Sequence, residues 1–492
     1  MDEVKHPHTE PAGQIDVSSV KHCLQQGDAK SALQYCHELL ARDPQNIQTL
    51  LFAAIASRSL GWFDDALDFI NCAHALAPNQ RAIHGLMGDI LLLQKRPEQA
   101  LSALLQAKEL GDNSAQIYFN IGSAYLALDI FEDAKIYFDL ALSIAPQMVA
   151  AHVNNGLVEH SLMNLDAALN CFDKALCIDP ENIDAQWNKS HVLLTLGRYE
   201  EGFKLYETRW RHPQVALKER KFDSKLWLGQ EHLAGKTILL YAEGGFGDTI
   251  QFIRYAKLFD PNVKLIIQCQ VPLIELVKDM GLGADIIAPG DTRPPHEFHC
   301  PLMSLPLAFG TNIDTVPHFD RYMYASDEYV KKWGVFMGQM AGPKIGVVAR
   351  GNSKFSNDKN RSFNLKSLIA QLPQWASYFV LQKDLSGEER TFISSCDKLI
   401  APDEALESFS DTAAICEQLD HVISVDTSVA HLAAAMGKPT TLLLAYRPDW
   451  RWGSRGDTSI WYPSAQLIRQ SRSGVWGDAM SSWHMNCLNR LA

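Results

Sequence analysis

The strongest constraint on the fold of this 492-residue chain is a 34-residue period in its first 182 residues. Proline recurs in one register, Asp112 fills the one position that lacks it, and alanine stands twelve residues before each of these five marks. The prolines are Pro44, Pro78, Pro146 and Pro180, and the alanines are Ala32, Ala66, Ala100, Ala134 and Ala168. Five alanines share a register by chance with a probability of about 10⁻⁵. The period therefore predicts one supersecondary unit stacked on copies of itself.

Two further positions follow the same period. Glycine recurs 24 residues before the mark at Gly88, Gly122 and Gly156, and a large apolar residue recurs eight before it at Ile70, Leu104, Phe138 and Phe172. This pattern resembles the tetratricopeptide repeat, in which small residues let two helices approach and proline ends the second helix. The resemblance predicts an N-terminal α-solenoid: a tail over residues 1–12, five repeats over 13–182, and a partial sixth repeat that caps the array. The groove of such an array holds a peptide or a partner helix, or the array is a spacer or dimerisation arm.

The formal net charge of −12 belongs to the repeats. Residues 1–182 contain 23 acidic and 11 basic side chains, a balance of −12, whereas residues 183–492 contain 34 of each. An acidic chain does not suit general nucleic-acid binding, which needs Lys and Arg against phosphates. Either the groove holds a segment of positive or neutral polar character, or the acidic residues form a solvated outer face.

Other sequence features indicate a cytoplasmic protein. The N-terminus is polar, without the apolar region of a secretory signal, and no apolar run approaches the roughly 18 residues of a membrane span. The ten cysteines contain no C-x-x-C pair. They are expected to be reduced thiols rather than a disulfide or zinc framework.

From Lys236 onwards, short apolar runs alternate with amphipathic stretches, which favours parallel sheets covered by helices. We expect a partial sixth repeat and connector over 183–235, a first Rossmann-like unit over 236–325, a linker helix over 326–342, a second unit over 343–470, and a C-terminal segment over 471–492. The predicted strands are 237–241, 263–268 and 284–289 in the first unit, and 344–348, 378–382, 421–426 and 440–444 in the second. Ligands bind such sheets at the carboxyl ends of the strands.

Two strand-to-helix turns carry candidate site residues. The first runs through Gly244, Gly245 and Gly247 to Asp248, and its glycines allow a ligand to approach the backbone. Asp248 is either the N-cap of the next helix or a general base that faces the cleft. The second turn places Thr427 and Ser428 at a helix N-terminus, where a phosphate can bind.

His431 lies three residues after Ser428 and four after Thr427, so its side chain shares their helix face. Such a histidine is either packed in the core or part of the site. His299 and Cys300 are adjacent but lack further ligands at zinc spacing, so they are predicted to be structural.

The segment DTSVAHLAAAMGKPT at 426–440 is similar to the D-[ST]-G-x-x-H-L-A-A-A-x-G-x-P segment of heptosyltransferase-like glycosyltransferases of the GT-B fold. The GGFGD turn resembles their N-terminal glycine turn. Runs such as HCPLMSLPLAFGT, GNSKFSNDKNRS and PDWRWG look like bacterial proteins that join tetratricopeptide repeats to such a transferase, including flagellin glycosyltransferases. Ser428 stands where heptosyltransferases commonly have Gly.

The resemblance implies that Asp248 is the base that activates the acceptor hydroxyl. Donor-binding residues are expected at the carboxyl ends of the second unit's strands, with Asn357 and Arg361 close by. They are Thr427, Ser428, His431, Asp426, Lys383, Arg350 and Asn352. No D-x-D motif occurs over 236–492, so no chelated metal is expected, and the nucleotide sugar is a co-substrate rather than a cofactor.

The predicted function is therefore that of a protein glycosyltransferase whose repeats recruit the acceptor, with flagellin as the first acceptor to test. Two alternatives stay open. The repeats could scaffold a complex beside a degenerate transferase module, or the enzyme could act on a saccharide or lipid-linked acceptor.

Overall fold

The fold is described from a computed structural model. It describes residues 15–213, 222–338, 342–352 and 358–477, without the side chains of Lys359 and Asp403. The predicted tail over residues 1–12 lies outside these residues. The chain divides into two compact units, residues 1–182 and 183–492.

The first unit is an array of helix pairs, which confirms the predicted repeat solenoid. Each pair consists of a first helix and a second helix joined by a tight turn. The helices are α1 (Val17–Gln25), α2 (Ala29–Leu40), α3 (Ile47–Ser59), α4 (Phe63–Leu76), α5 (Arg81–Leu93), α6 (Pro97–Glu109), α7 (Ala115–Ala127), α8 (Phe131–Ile144), α9 (Val149–Ser161) and α10 (Leu165–Ile178).

In the third, fourth and fifth repeats, a glycine of the first helix meets the large apolar residue of the second. A Cβ atom added to Gly156 would lie 2.6 Å from Cε1 of Phe172, and one added to Gly122 would lie 2.8 Å from the Phe138 ring. The five alanines of the repeat register are all fully buried, as are the four large apolar residues. The small and large positions found in the sequence are thus the two sides of one close helix contact.

The turn inside each pair also follows the period. Six residues spaced by 34 adopt a left-handed backbone with φ between 58° and 78°. They are Gly27, Gly61, Lys95, Asp129, Met163 and Gly197. Glycine adopts this conformation readily, whereas a side chain at the same position costs about 1–2 kcal/mol. Three of the six turns therefore carry backbone strain that the sequence pattern did not reveal.

The second unit begins with another helix pair, α11 (Ile183–Thr195) and α12 (Tyr199–Tyr206). This pair is the partial sixth repeat predicted from the sequence. It packs on residues far along the chain through aromatic contacts: the ring centroids of Phe203 and Trp450 are 5.6 Å apart, and those of Tyr199 and Trp461 are 5.8 Å apart. The sixth pair is therefore part of the core of the second unit.

Two parallel sheets follow. The first has the order β1-β5-β2-β3-β4. Its strands are β1 (Lys225–Leu226), β2 (Thr237–Tyr241), β3 (Lys264–Gln268), β4 (Asp285–Ile287) and β5 (Phe298–Pro301), with helices α13 (Phe246–Phe252), α14 (Ile274–Lys278) and α15 (Leu305–Ala308). Helix α16 (Asp327–Met337) links this sheet to the next, inside the range predicted for a linker helix.

The second sheet has the order β11-β10-β9-β6-β7-β8. Its strands are β6 (Lys344–Val348), β7 (Ser377–Val380), β8 (Leu399–Ile400), β9 (His421–Val425), β10 (Thr440–Leu444) and β11 (Ala465–Arg469). The helices are α17 (Asp358–Arg361), α18 (Leu365–Ile369), α19 (Gly387–Ser394), α20 (Phe409–Glu417) and α21 (Ser428–Ala435).

All seven predicted strands coincide with observed ones, but the prediction missed four strands: β1, β5, β8 and β11. Of these, β1 and β8 have only two residues each, and β5 contains a proline and a histidine. Strand β11 forms an edge of its sheet, and polar Gln466 and Arg469 limit its apolar run to two residues. Short or edge strands lack the continuous apolar run by which buried parallel strands are found.

Candidate active site

The two candidate turns meet between the sheets. Helix α13, which follows the glycine turn, packs against α21, which follows the second turn. The contact is so close that a Cβ atom on Gly247 would lie 2.9 Å from Cδ2 of His431. The structure therefore brings together two segments that are about 180 residues apart in the sequence.

Asp248 is not the N-cap of α13. The prediction that it caps this helix is therefore wrong. Gly245 is the N-cap, and Asp248 lies three residues further, where its carboxylate accepts a hydrogen bond of 2.7 Å from the Gly245 N–H. A Cβ atom on Gly244 would lie 2.2 Å from Oδ2 of Asp248. The glycine turn thus lets this carboxylate fold back over the helix N-terminus, where negative charge is favoured.

The other oxygen of Asp248 binds Arg451, a residue that the sequence analysis did not select. Nη2 of Arg451 lies 2.5 Å from Oδ1 of Asp248, and Nη1 lies 2.8 Å from Asp449. Nε of Arg451 donates to Gln251 at 2.6 Å. The side chain of Asp248 keeps 26% of its surface exposed while that of Arg451 keeps 8%, so the carboxylate has the accessible side of the pair.

The second turn presents a helix N-terminus as predicted from its sequence. Thr427 is the N-cap of α21, but its hydroxyl lies 3.0 Å from that of Ser424 and makes no capping bond. Ser428 is the first helical residue, and both residues are partly exposed. The first N–H groups of a helix have no partner within it, so this end of α21 can hold an anion.

Asp426 precedes this helix and is largely buried. Its backbone oxygen accepts a bond of 2.8 Å from Arg361, which also pairs with Asp358 at 3.1 Å. Burial and the nearby Asp449 raise the pKa of the Asp426 carboxyl. The hydrogen bond from Arg361 therefore fixes the main chain of the turn at Asp426.

His431 is buried rather than exposed on the helix surface. Its Nδ1 lies 2.8 Å from the Tyr462 hydroxyl, and its ring stacks on Trp452 with centroids 5.0 Å apart. Burial, with help from Arg451 and Arg254, lowers the pKa of His431 to about 3. The imidazole is therefore neutral at pH 7 and contributes no positive charge to an anion site.

The predicted cations of the second sheet differ in their surroundings. Arg350 is held by Glu389, with Nη2 3.0 Å and Nε 3.2 Å from its carboxylate oxygens. Lys383 and Asn352 are exposed at the carboxyl edge of the sheet. Asn357 lies outside the described residues. Of the two predicted cations, only Lys383 is a well-exposed positive charge at this edge.

A second buried ion cluster lies beside the glycine turn. Arg209 reaches Glu243 at 2.8 Å, Glu207 at 2.6 Å and the Ser304 hydroxyl at 2.6 Å. Burial raises the pKa of Glu243 to about 7, although Arg209 opposes this shift. Because Glu243 directly precedes Gly244, this cluster fixes the start of the turn that carries Asp248.

Arg451, Asp449 and Glu243 are therefore the polar residues that sequence reasoning missed. A usable signal was present for two of them, because Asp449 and Arg451 lie in the loop after β10, whose carboxyl end was already predicted to border the cleft. No comparable signal marked Arg209 as the partner of Glu243, since 34 residues separate them and the contact is tertiary.

The described residues contain neither a candidate metal site nor a candidate membrane span. Neither a group of three or more His, Cys, Asp or Glu residues placed to hold a metal ion nor a helix long and apolar enough to cross a membrane occurs among those residues. His299 is bonded to the Ser224 hydroxyl at 2.9 Å, and Cys300 is buried.

Comparison with known proteins identifies the first unit. Models of the tetratricopeptide repeat match residues 24–90 and 115–148. The chain therefore contains tetratricopeptide repeats, which are followed by a second unit with two sheets.

Protein FlbA of Caulobacter vibrioides aligns with most of this chain: it is 21% identical over 550 aligned positions that cover 94% of this chain and 89% of FlbA. Tetratricopeptide repeat-containing protein trd-1 of Caenorhabditis elegans is 24% identical over 32% of this chain and 20% of its own length.

Solved structures match a smaller part of the chain. MamA from Desulfovibrio magneticus RS-1 is 22% identical and has a TM-score of 0.31, covering 34% of this chain and 93% of its own. PilW, a type IV pilus biogenesis factor, is 18% identical with a TM-score of 0.37, covering 41% of this chain and 93% of its own.

Proposed function

We propose that residues 183–492 form a GT-B glycosyltransferase that moves a sugar from a nucleotide sugar to a protein recruited by the repeats. The observation that carries this proposal is the meeting of the two turns. Helix α13, which carries the partly exposed carboxylate of Asp248, packs against helix α21, which begins at Ser428 after the N-cap Thr427. Transfer from a nucleotide sugar requires both a base for the acceptor and a site for the departing phosphates.

The roles follow from the surroundings of each residue. Asp248 accepts the proton of the acceptor hydroxyl, and Arg451 with the Gly245 N–H holds its carboxylate in one orientation. The N-terminus of α21 binds the donor phosphates, helped by the exposed Lys383. His431 is a positioning residue, because it is neutral and packs beneath Gly247.

The repeats supply the acceptor site in this proposal. Arrays of such repeats form extended surfaces that bind other proteins. Flagellin is the acceptor to test first, since the sequence resembles flagellin glycosyltransferases.

One observation favours a second candidate, a scaffold with a degenerate transferase module. Arg350 and Arg451 both lie in internal ion pairs, which leaves fewer cations for a diphosphate than a transferase uses. The two functions differ in whether the second unit binds a nucleotide.

The deciding experiment is Asp248→Asn in the full chain, co-expressed with flagellin, with sugar transfer read by intact-protein mass spectrometry. Loss of a positioned base should lower the transfer rate by about 10²- to 10⁴-fold. The exposed Asp314→Asn is the matched control and should transfer at the wild-type rate.

Transfer by Asp248→Asn at the wild-type rate would show that the catalytic assignment is wrong. Calorimetry with UDP, GDP and CMP separates the two candidates. A wild-type protein that binds none of them and transfers nothing is a scaffold.

A further inference from the structure

An exposed apolar stripe runs along helix α8, the second helix of the fourth repeat. Ile136 is 55% exposed, Leu140 38% and Ile144 53%. Residues four apart lie on the same face of a helix, so these three side chains form one line. At 1.5 Å per residue the line is about 12 Å long, or two turns of a partner helix.

The repeat register shows that Ile136 and Leu140 are the part of the stripe that the neighbouring repeats lack, whereas the position of Ile144 is also apolar there, as Leu110 and Ile178. The positions of Ile136 and Leu140 are Ser102 and Gln106 in the third repeat, and Asn170 and Lys174 in the fifth. The core of the fourth repeat does not use the stripe, since Ala134, Phe138 and Ala141 fill the opposite face and are fully buried.

The stripe is bordered by acidic residues. Glu132 lies one turn before Ile136, Asp139 lies three residues after it, and both are exposed. The one basic residue of α8, Lys135, is engaged by Glu159 at 2.7 Å and Asp139 at 3.4 Å. The surface around the stripe is therefore apolar in the middle and negative at its borders.

We infer that this face of α8 docks an amphipathic helix of a partner protein, with an apolar stripe bordered by Lys or Arg. A row of side chains four residues apart forms a ridge, which packs into a groove on the surface of a second helix. The acidic border selects a basic partner, because like charges across an interface are unfavourable. The same border disfavours a second copy of this chain, because both sides of that interface would then carry the carboxylates of Glu132 and Asp139.

This surface goes beyond the proposed function, since docking on α8 requires no transfer reaction. The repeats would hold a partner on this helix face whether or not the second unit is an enzyme.

The test uses a fluorescent synthetic 18-residue helix with leucine on one face and lysine elsewhere, titrated with the full-length protein. The variant Ile136→Ser with Leu140→Gln carries the residues of the third repeat. We expect it to bind the peptide at least tenfold more weakly than wild type while retaining the same circular dichroism spectrum. Leu93→Gln, which changes a leucine 47% exposed on α5, is the matched control and should bind as wild type does.

A peptide with glutamate in place of lysine should not bind, and added salt should weaken binding of the lysine peptide. Equal affinity of wild type and the double variant for the lysine peptide would overturn the inference. Equal binding of the glutamate peptide would also overturn it. A wild-type dimer in ultracentrifugation that the double variant abolishes would identify a second copy as the occupant, and so would overturn the choice of partner.

Discussion

The two units bury different kinds of side chain. Among the described residues of the repeat array, Glu159 is the one charged residue that is buried, and it pairs with Lys135 from the preceding repeat. The second unit buries three arginines, Arg209, Arg254 and Arg451. The array is held by small and large apolar residues repeated every 34 positions, whereas the second unit adds to its apolar core buried arginines that join distant parts of the chain.

Because of this difference, substitutions should affect the stability of the two units in different ways. A close helix contact in the array can be altered at one repeat while its neighbours keep their own. A buried arginine in the second unit joins several elements at once. Arg254 donates to the Tyr322 hydroxyl at 2.9 Å, to the backbone carbonyl of Gln251 at 2.7 Å and to that of Trp461. Removing it leaves several partners unsatisfied.

The largest expected effect is that of Arg254→Ala. Arg254 is bound by buried carbonyl and hydroxyl groups, and each such acceptor left unsatisfied costs about 1–3 kcal/mol, so the loss of several should cost about 3–5 kcal/mol in total. The free energy of unfolding of the second unit should fall by that amount, measured by tryptophan fluorescence in urea, because ten of the eleven tryptophans lie in residues 183–492. Arg198→Ala removes an arginine whose side chain is 48% exposed and should cost less than about 1 kcal/mol. Equal losses in the two variants would show that the burial of Arg254 is not what stabilises the second unit.

A second prediction concerns pH. The pKa of His431 is about 3 in the folded protein against 6.5 in the unfolded chain, so between these values the unfolded state binds one more proton. Stability of the second unit should therefore fall as the pH drops below 6.5, by up to about 1.4 kcal/mol per unit. His431→Gln should make this slope shallower by one proton, read from urea unfolding at pH 4.5 to 7. The exposed His232→Gln is the control, and an unchanged slope in His431→Gln would refute the prediction.

In the array, Gly156→Ala tests the close helix contact. Overpacking a core costs about 1–3 kcal/mol, and alanine returns about 0.5–1 kcal/mol of helix propensity, so we expect a net loss of about 1–2 kcal/mol. Hydrogen exchange should show faster opening of α9 and α10. Adding Phe172→Leu should recover part of the loss by making room, and no recovery would mean that the contact with Phe172 is not the cause.

The smallest expected effect is a gain. Met163 adopts φ 62°, in register with Gly27, Gly61 and Gly197. Met163→Gly should stabilise the fifth repeat by about 0.5–1 kcal/mol, because the relief of left-handed strain in the folded state exceeds the entropy that glycine adds to the unfolded chain. Hydrogen exchange in α9 and α10 measures the gain. Met163→Leu keeps the strain and should change nothing, so a gain from that variant would point to packing instead.

Sequence reasoning located the repeats and all the longer predicted strands because both leave local signals. The repeats are marked by single residues that recur every 34 positions, and a buried parallel strand is a continuous apolar run. Strand β11 was missed because Gln466 and Arg469 interrupt its apolar residues at a sheet edge. One of the two interpretations of Asp248 made it the N-cap, but the N-cap is Gly245, three residues earlier. The candidate site was predicted in its two turns but not in Arg451, whose contact with Asp248 spans 203 residues.

By itself, the sequence determined the 34-residue repeat, the order of the main strands and the two turns with their glycines and hydroxyls. Each of these follows from residues within one helix, strand or turn, where spacing alone decides which side chains share a face. Only the tertiary structure decided that His431 is buried and neutral, that Arg350 is occupied by Glu389, and that Arg451 holds Asp248. Those outcomes depend on which distant charges and rings share a low-dielectric interior, and a linear pattern does not record that.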